Sequence, residues 1–189
     1  MDALTLLTAD HNRVRGLFAR WKAAHEAGDD STAGQLFKKI ADELTVHTDI
    51  EETVFYPAID GASDEIHEMV LEALEEHKVA KSEIDQASML PASDDRFAAK
   101  VTVLIESVEH HAEEEETDLW PKVRAAFSGE QLEQLGQALE DRKKQLGAPT
   151  LADKIDLTKA ELAELARSQE IPGRSKMDHD ELAATVAPR

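Results

Sequence analysis

The chain contains no cysteine among its 189 residues. That absence excludes disulfides, thiolate zinc sites, iron–sulfur clusters and a cysteine nucleophile, so any metal must be held by nitrogen and oxygen. Aromatic residues are scarce, at 4%, while Ala, Leu, Glu and Lys are plentiful, a balance that favours helices over sheets. Cations are in deficit: 21 Lys and Arg stand against 40 Asp and Glu, a formal net charge of -19. Such a charge repels phosphate backbones and anionic lipid surfaces, which argues against nucleic acid as a partner. No apolar run approaches the ~20 residues of a membrane span, and Met1 to Thr5 lacks a basic region before an apolar core. The expectation is a soluble cytoplasmic protein with no membrane partner.

What is present is a repeat. His47-Thr48-Asp49-Ile50-Glu51-Glu52-Thr53-Val54-Phe55-Tyr56-Pro57 recurs 64 residues later as His111-Ala112-Glu113-Glu114-Glu115-Glu116-Thr117-Asp118-Leu119-Trp120-Pro121. Each copy places a histidine and a glutamate four apart, one turn along the same face of a helix. Apolar spacing of three and four predicts helices from about Ala3 to Ala27, Ser31 to Tyr56 and Asp64 to Ser88, then a fourth through Val101 and Leu119. The two repeated segments are predicted to end at Pro57 and Pro121. His11 and His77 replace apolar residues on the first and third stripes, and His47-Glu51 and His111-Glu115 do so on the second and fourth.

The pattern reads as a duplicated αα-hairpin. Short connections make neighbouring helices antiparallel, so the expected fold is all-α: an up-down-up-down four-helix bundle over residues 1–127. An additional helix and linker fill 128–150, and a small helical appendage fills 151–189. His47 and His111 each lie ten residues, about 15 Å, before their prolines. In an antiparallel bundle His11 and His77 reach roughly the same level.

Burying four imidazoles and two carboxylates at one level costs several kcal/mol per unpaired group unless a cation joins them. The candidate metal ligands are therefore His11, His47, Glu51, His77, His111 and Glu115. Imidazole and carboxylate suit iron, manganese or zinc, and two bridging carboxylates in a bundle favour a two-metal site. An oxo or hydroxo bridge would bring each ion to five ligands, with one position open for a small molecule.

These residues, with the repeated Glu-Glu-Thr and aromatic-Pro endings, resemble the hemerythrin-like family of HHE cation-binding domains over residues 1–127. The resemblance implies two non-haem iron ions and a repertoire of oxygen, peroxide or nitric oxide binding, sensing or consumption. Two positions depart from the family's oxygen carriers. Lys81 stands four after His77, where they carry a second histidine, and Glu115 follows His111 by four, where they carry an aspartate five on. Both departures point away from reversible oxygen carriage. They leave a position for reactivity with peroxide or nitric oxide, or for His110, Glu52 or Glu116 as a further ligand.

The remaining polar candidates have plainer expectations. His67 lies about 15 Å along its helix from His77, His25 and His179 are solvated, and Tyr56 and Trp120 are core residues at the bundle end. Leu157 to Leu182, with Ile171-Pro172-Gly173-Arg174-Ser175-Lys176-Met177, resembles the amino-terminal module of transcription termination factor Rho and its SAP-like relatives, which implies nucleic-acid contact. Residues 153–189 hold eight acidic against six basic residues, a poor phosphate footprint. The alternative to the oxidant reading is a metal-responsive module whose appendage contacts a partner.

Overall fold

The computed structural model describes residues 1–148 together with Ala163, Arg167 and Arg174. Each long helix begins on a side-chain oxygen that accepts an otherwise orphaned backbone N–H. Asp2 caps α1 (Ala3–Glu26), Asp29 caps α2 (Asp30–Ile50) and Ser63 caps a later helix, α4 (Asp64–Ser88). Between α2 and α4 lie a π-helical turn, Glu51–Phe55, and the short α3 (Tyr56–Ile59). Asp94 caps α5 (Asp95–Glu114), which passes through a second π turn, Glu115–Leu119, into α6 (Trp120–Ala126). A capping box of Ser128 and Gln131 starts α7 (Gly129–Gln145). Gly28 and Gly147, at φ of 68°, turn the chain out of α1 and α7.

The expected helices are present, but the prolines do not end them. Pro57 and Pro121 sit inside continuous helix, each just after a π turn in which Tyr56 and Trp120 donate their N–H to the carbonyls of Glu51 and Glu115. A proline clashes with the carbonyl four residues back and has no N–H for it, and the wider turn relieves both problems. The connection after Pro57 therefore begins only at Asp60.

Among the described residues the regular structure is all helical, with no strand, an arrangement compatible with a four-helix bundle. Helix α1 packs along α2, α4 along α5, and α7 against α1 and α2. Two apolar clusters result. One gathers Leu4, Leu7, Ile50, Phe55, Ile66, Val70, Trp120 and Leu139; the other gathers Val14, Phe18, Trp21, Leu36, Ile40, Leu44 and Leu104. Along α1 the switch from one to the other falls between Leu7 and Val14, around His11. Along α4 it falls between Ala73 and Ala80, around His77. A polar layer thus divides the core. Among the described residues no helix is long and apolar enough to cross a membrane. Apart from Ala163, Arg167 and Arg174, the Rho-like appendage, and His179 with it, lies outside the described residues.

Candidate metal centre

The polar layer consists of the six residues singled out from the sequence. His11, His47, Glu51, His77, His111 and Glu115 are all buried, Glu51 completely. They come from α1, α2, α4, α5 and the first residue of each π turn, a local distortion often found where a helix serves a site. Nε2 of His11 lies 3.1 Å from Nε2 of His47, and Nε2 of His77 lies 3.2 Å from that of His111. The glutamates connect these two pairs. Glu51 Oε2 is 3.3 Å from both His47 and His77, and Glu115 Oε2 is 3.2 Å from His11 and 3.7 Å from His111. The six side chains close into a ring with four imidazole Nε2 atoms facing inward.

Their outward nitrogens explain that orientation. His11 Nδ1–H donates to Glu116 (2.8 Å), His77 Nδ1–H to Glu52 (2.9 Å) and His111 Nδ1–H to Glu76 (2.7 Å). Carboxylates only accept, so each keeps a proton on Nδ1 and leaves Nε2 as the ligand nitrogen, the arrangement that supports metal-bound histidine. Cations anchor two of these carboxylates in turn: Arg15 Nη1 lies 2.9 Å from Glu116 and Lys81 Nζ 2.5 Å from Glu52. Lys81 therefore holds a carboxylate that orients His77. Glu52 and Glu116 are committed to this outer layer, and His110 is exposed beside Glu114 at 3.3 Å, so none of the three points into the ring.

Asp10 and Glu76 are functional neighbours that the helical stripes did not reveal. Each immediately precedes a ring histidine, in Asp10-His11 and Glu76-His77, and that repeated acid-His pair was the available signal. Tyr56 also does more than fill the core. Its hydroxyl donates to Glu115 Oε1 at 2.8 Å, and burial, then the Glu115 and Glu51 charges, raise its pKa well above the usual value. Trp120 instead stacks on His11 and donates from Nε1 to Thr8. His67 pairs with Asp60 at the surface, and His25 lies on Trp21.

The charges reveal what the ring demands. Burial by itself would lower the His11 pKa, but the close contacts with the Glu115 and Glu116 carboxylates outweigh it and hold the value up at about 9. His111 is also raised against its burial, by the Glu115 charge and the Glu76 hydrogen bond. Burial would push Glu115 up, yet the His111 charge and the contact with His11 keep it down at about 2. Protons hold this cluster together when no cation does. Even so, neither Glu51 oxygen nor Glu115 Oε2 completes a well-directed hydrogen bond, although imidazole nitrogens stand 3.2–3.7 Å from the two Oε2 atoms. Groups of this kind cost stability unless a cation meets them. Two sets of potential ligand atoms, from His11, His47, Glu51 and Glu115 and from Glu51, His77 and His111, each converge within 4.8 Å. The residues fit a nitrogen- and oxygen-bound metal.

Two cavities meet the ring. One, with about 20 Å³ of room, lies among the four histidines and Val14, Phe18, Leu44 and Ala80. The other, of about 290 Å³, is lined by Glu72, Glu76, Glu114 and Asp118 and reaches His111 and Glu115.

A buried layer of histidines and glutamates between two apolar clusters defines a helical cation-binding domain. The chain belongs to the family described as the hemerythrin HHE cation binding domain, which it matches over residues 2–123. It is also similar to a protein named DNA nickase from Nostoc sp. (strain PCC 7120 / SAG 25.82 / UTEX 2576), with 27% identity over 139 residues. That alignment covers 71% of this chain and 37% of the relative, so the chain spans well under half of that protein's length. No solved structure matches the chain.

Proposed function

We infer that this chain is a cytoplasmic hemerythrin-like di-iron protein that binds, senses or reacts with a small oxidant: oxygen, peroxide or nitric oxide. The observation that carries the reading is the closed ring of four inward imidazole nitrogens and two glutamates with three buried oxygens that complete no well-directed hydrogen bond. His11, His47, Glu51, His77, His111 and Glu115 would hold two ions. His11 and His47 would serve one ion and His77 and His111 the other, with Glu51 and Glu115 within reach of both ends. Iron suits this donor set, with manganese and zinc behind it. When bound, the iron pair supplies one-electron chemistry and Lewis acidity at the ring.

The surrounding residues prepare that site. Glu116, Glu52 and Glu76 orient the imidazoles, and Tyr56 keeps its proton and offers it as a hydrogen bond to Glu115. The apolar cavity beside the histidines has room for one small molecule and little bulk water. The acidic recess offers cations an approach to His111 and Glu115. The helix order and short connections of the described residues support an up-down-up-down bundle over 1–127 followed by α7, while the division into 128–150 and a separate unit over 151–189 rests on the sequence pattern alone.

Metal analysis of protein produced with ample iron is expected to find about two irons per chain, with at least the ion at the His11–His47 end lost on His47→Ala. Spectra of the iron-loaded protein mixed in turn with oxygen, peroxide and nitric oxide should change with at least one of them. Retention of the full iron content by His47→Ala, or inert spectra throughout, would overturn the reading.

A second reading, a metal-responsive module, draws on α7. Arg142 bonds Asp49 and Lys143 bonds Asp10, so the helix leading to residues 149–189 is tied to the α1 and α2 side of the ring. Limited proteolysis near Gly147 with and without metal tests it, and an unchanged cleavage rate would end it. The relative's DNA nicking is not carried over, because a net charge of -19 repels phosphate.

A further inference from the structure

The duplication gives the ring a pseudo-twofold arrangement. His11 corresponds to His77, His47 to His111, Glu51 to Glu115, and the outer Glu116 to Glu52. By the same relation Asp10 should do for His47 what Glu76 does for His111. It does not. Glu76 Oε2 accepts from His111 Nδ1 at 2.7 Å, whereas Asp10 Oδ2 stands 3.7 Å from His47 Nδ1, which has no hydrogen-bond partner.

Two causes act together. Aspartate is one methylene shorter than glutamate, and both Asp10 oxygens accept from Lys143 Nζ, each at 2.6 Å, in a buried ion pair. Lys143 comes from α7, outside the duplicated segments, and is held in place from both sides. Its neighbour Arg142 makes a two-pronged bond to Asp49 of α2, at 2.6 and 2.9 Å. About two turns earlier on the same face, Gly136 lies so close to the start of α1 that a Cβ there would sit 2.3 Å from the Met1 carbonyl oxygen. The backbone that carries Lys143 is thus fixed opposite Asp10, and the ion pair itself holds the ammonium there.

We propose that Lys143 is a positioning residue that draws Asp10 away from His47 and makes the two metal positions unequal, the His11–His47 position being the looser. A carboxylate on the outer nitrogen fixes the ring orientation of a ligand histidine and raises its basicity. Losing such a partner costs roughly 10–100-fold in metal affinity. His111 has that support in full, while His47 has a neutralised carboxylate beyond hydrogen-bond reach. The ion at the α1 and α2 end thus leaves first and the other stays. The inference rests on reading the ring as a two-ion site.

The test uses full-length protein loaded with zinc, which is redox-inert, and follows transfer of zinc to a coloured chelator. Two ions are expected to leave in two phases whose rates differ by about 10–100-fold. Lys143→Met releases Asp10 to His47 and should slow the fast phase alone. Asp10→Glu keeps the ion pair and lengthens the reach by one carbon, so it should also slow the fast phase alone. It serves if Lys143→Met does not fold. Glu76→Asp copies the shortfall at the other end and should speed the slow phase. Wild-type protein that binds two zinc ions and releases them in one phase overturns the inference and leaves the two-ion reading standing. So does an unchanged fast phase in Asp10→Glu, or a Lys143→Met that speeds both phases equally. Fewer than two zinc ions bound to the wild type overturns the two-ion reading itself.

Discussion

The two halves of the bundle carry the same motif in different surroundings. In the first, the residue just after the π turn is Tyr56, and its hydroxyl crosses to the other half to donate to Glu115. In the second, the same position is Trp120, which lies flat on His11 and donates to Thr8. Glu115 thus has one oxygen engaged, whereas Glu51 has neither. The outer carboxylates differ in the same way, with Glu76 on His111 but Asp10 short of His47. The difference teaches that ring geometry and ring energetics are carried by separate residues. The repeat accounts for the ring residues, and divergence at single neighbouring positions gives them different surroundings.

The largest effect is expected from the glutamates themselves. Glu51→Ala removes the carboxylate shared by His47 and His77 and should abolish metal retention after dialysis against a chelator. Glu115→Ala, whose lost carboxylate was already half committed to Tyr56, should leave about one ion per chain. Equal losses in metal analysis would erase the distinction between the halves.

The metal-free protein should next reveal the difference through pH. The folded-state pKa of His11 is raised to about 9 from an ordinary 6.5, so protonation of His11 favours the folded form. That contribution, on the order of a few kcal/mol, is complete below about 6.5 and disappears as pH rises through about 9. Thermal melts of metal-free protein should therefore fall across that window, while the metal-loaded protein stays level because cations replace the protons. Glu115, held at about 2, acts in the opposite sense: its contribution is present above about 4.5 and is lost as pH falls toward 2. Metal loading near pH 7 should also release protons, measurable in weakly buffered solution.

Smaller effects should fall on one half alone. Gly136→Ala forces α7 off the backbone of Met1 to Ala3 and should cost about 1–3 kcal/mol in denaturant unfolding. The loss should come with a disturbed His11–His47 end and an intact His77–His111 end. Tyr56→Phe removes a buried hydroxyl bond to a charged acceptor, worth roughly 1.5–3 kcal/mol at most, and frees Glu115 Oε1 for a cation. Its metal-free form should lose stability, while its metal affinity should hold or rise. A fall in both would mean that Tyr56 supports the bound state as well.

Much of this molecule could be read along the chain. Apolar spacing located α1, α4 and α7 to within a residue or so, because each buries one continuous stripe. Polar interruptions of those stripes identified all six ring residues, since a histidine or glutamate on an apolar face has to meet something. The prolines misled, because a π turn is a backbone accommodation with no residue pattern of its own. Lys81 and Glu52 read as a missing ligand and a spare one, yet they form a pair across two helices. Periodicity also left Asp10, Glu76 and Lys143 unmarked.

The sequence by itself determined the helices, the level of the histidines and the identity of the inward donors, all of which depend on spacing within one helix. Only the tertiary structure decided which carboxylate backs which imidazole and where that support fails. Those partners meet across gaps such as the 105 residues from His11 to Glu116 and the 133 from Asp10 to Lys143. Contacts over such separations follow from how whole helices dock, and no local pattern encodes that.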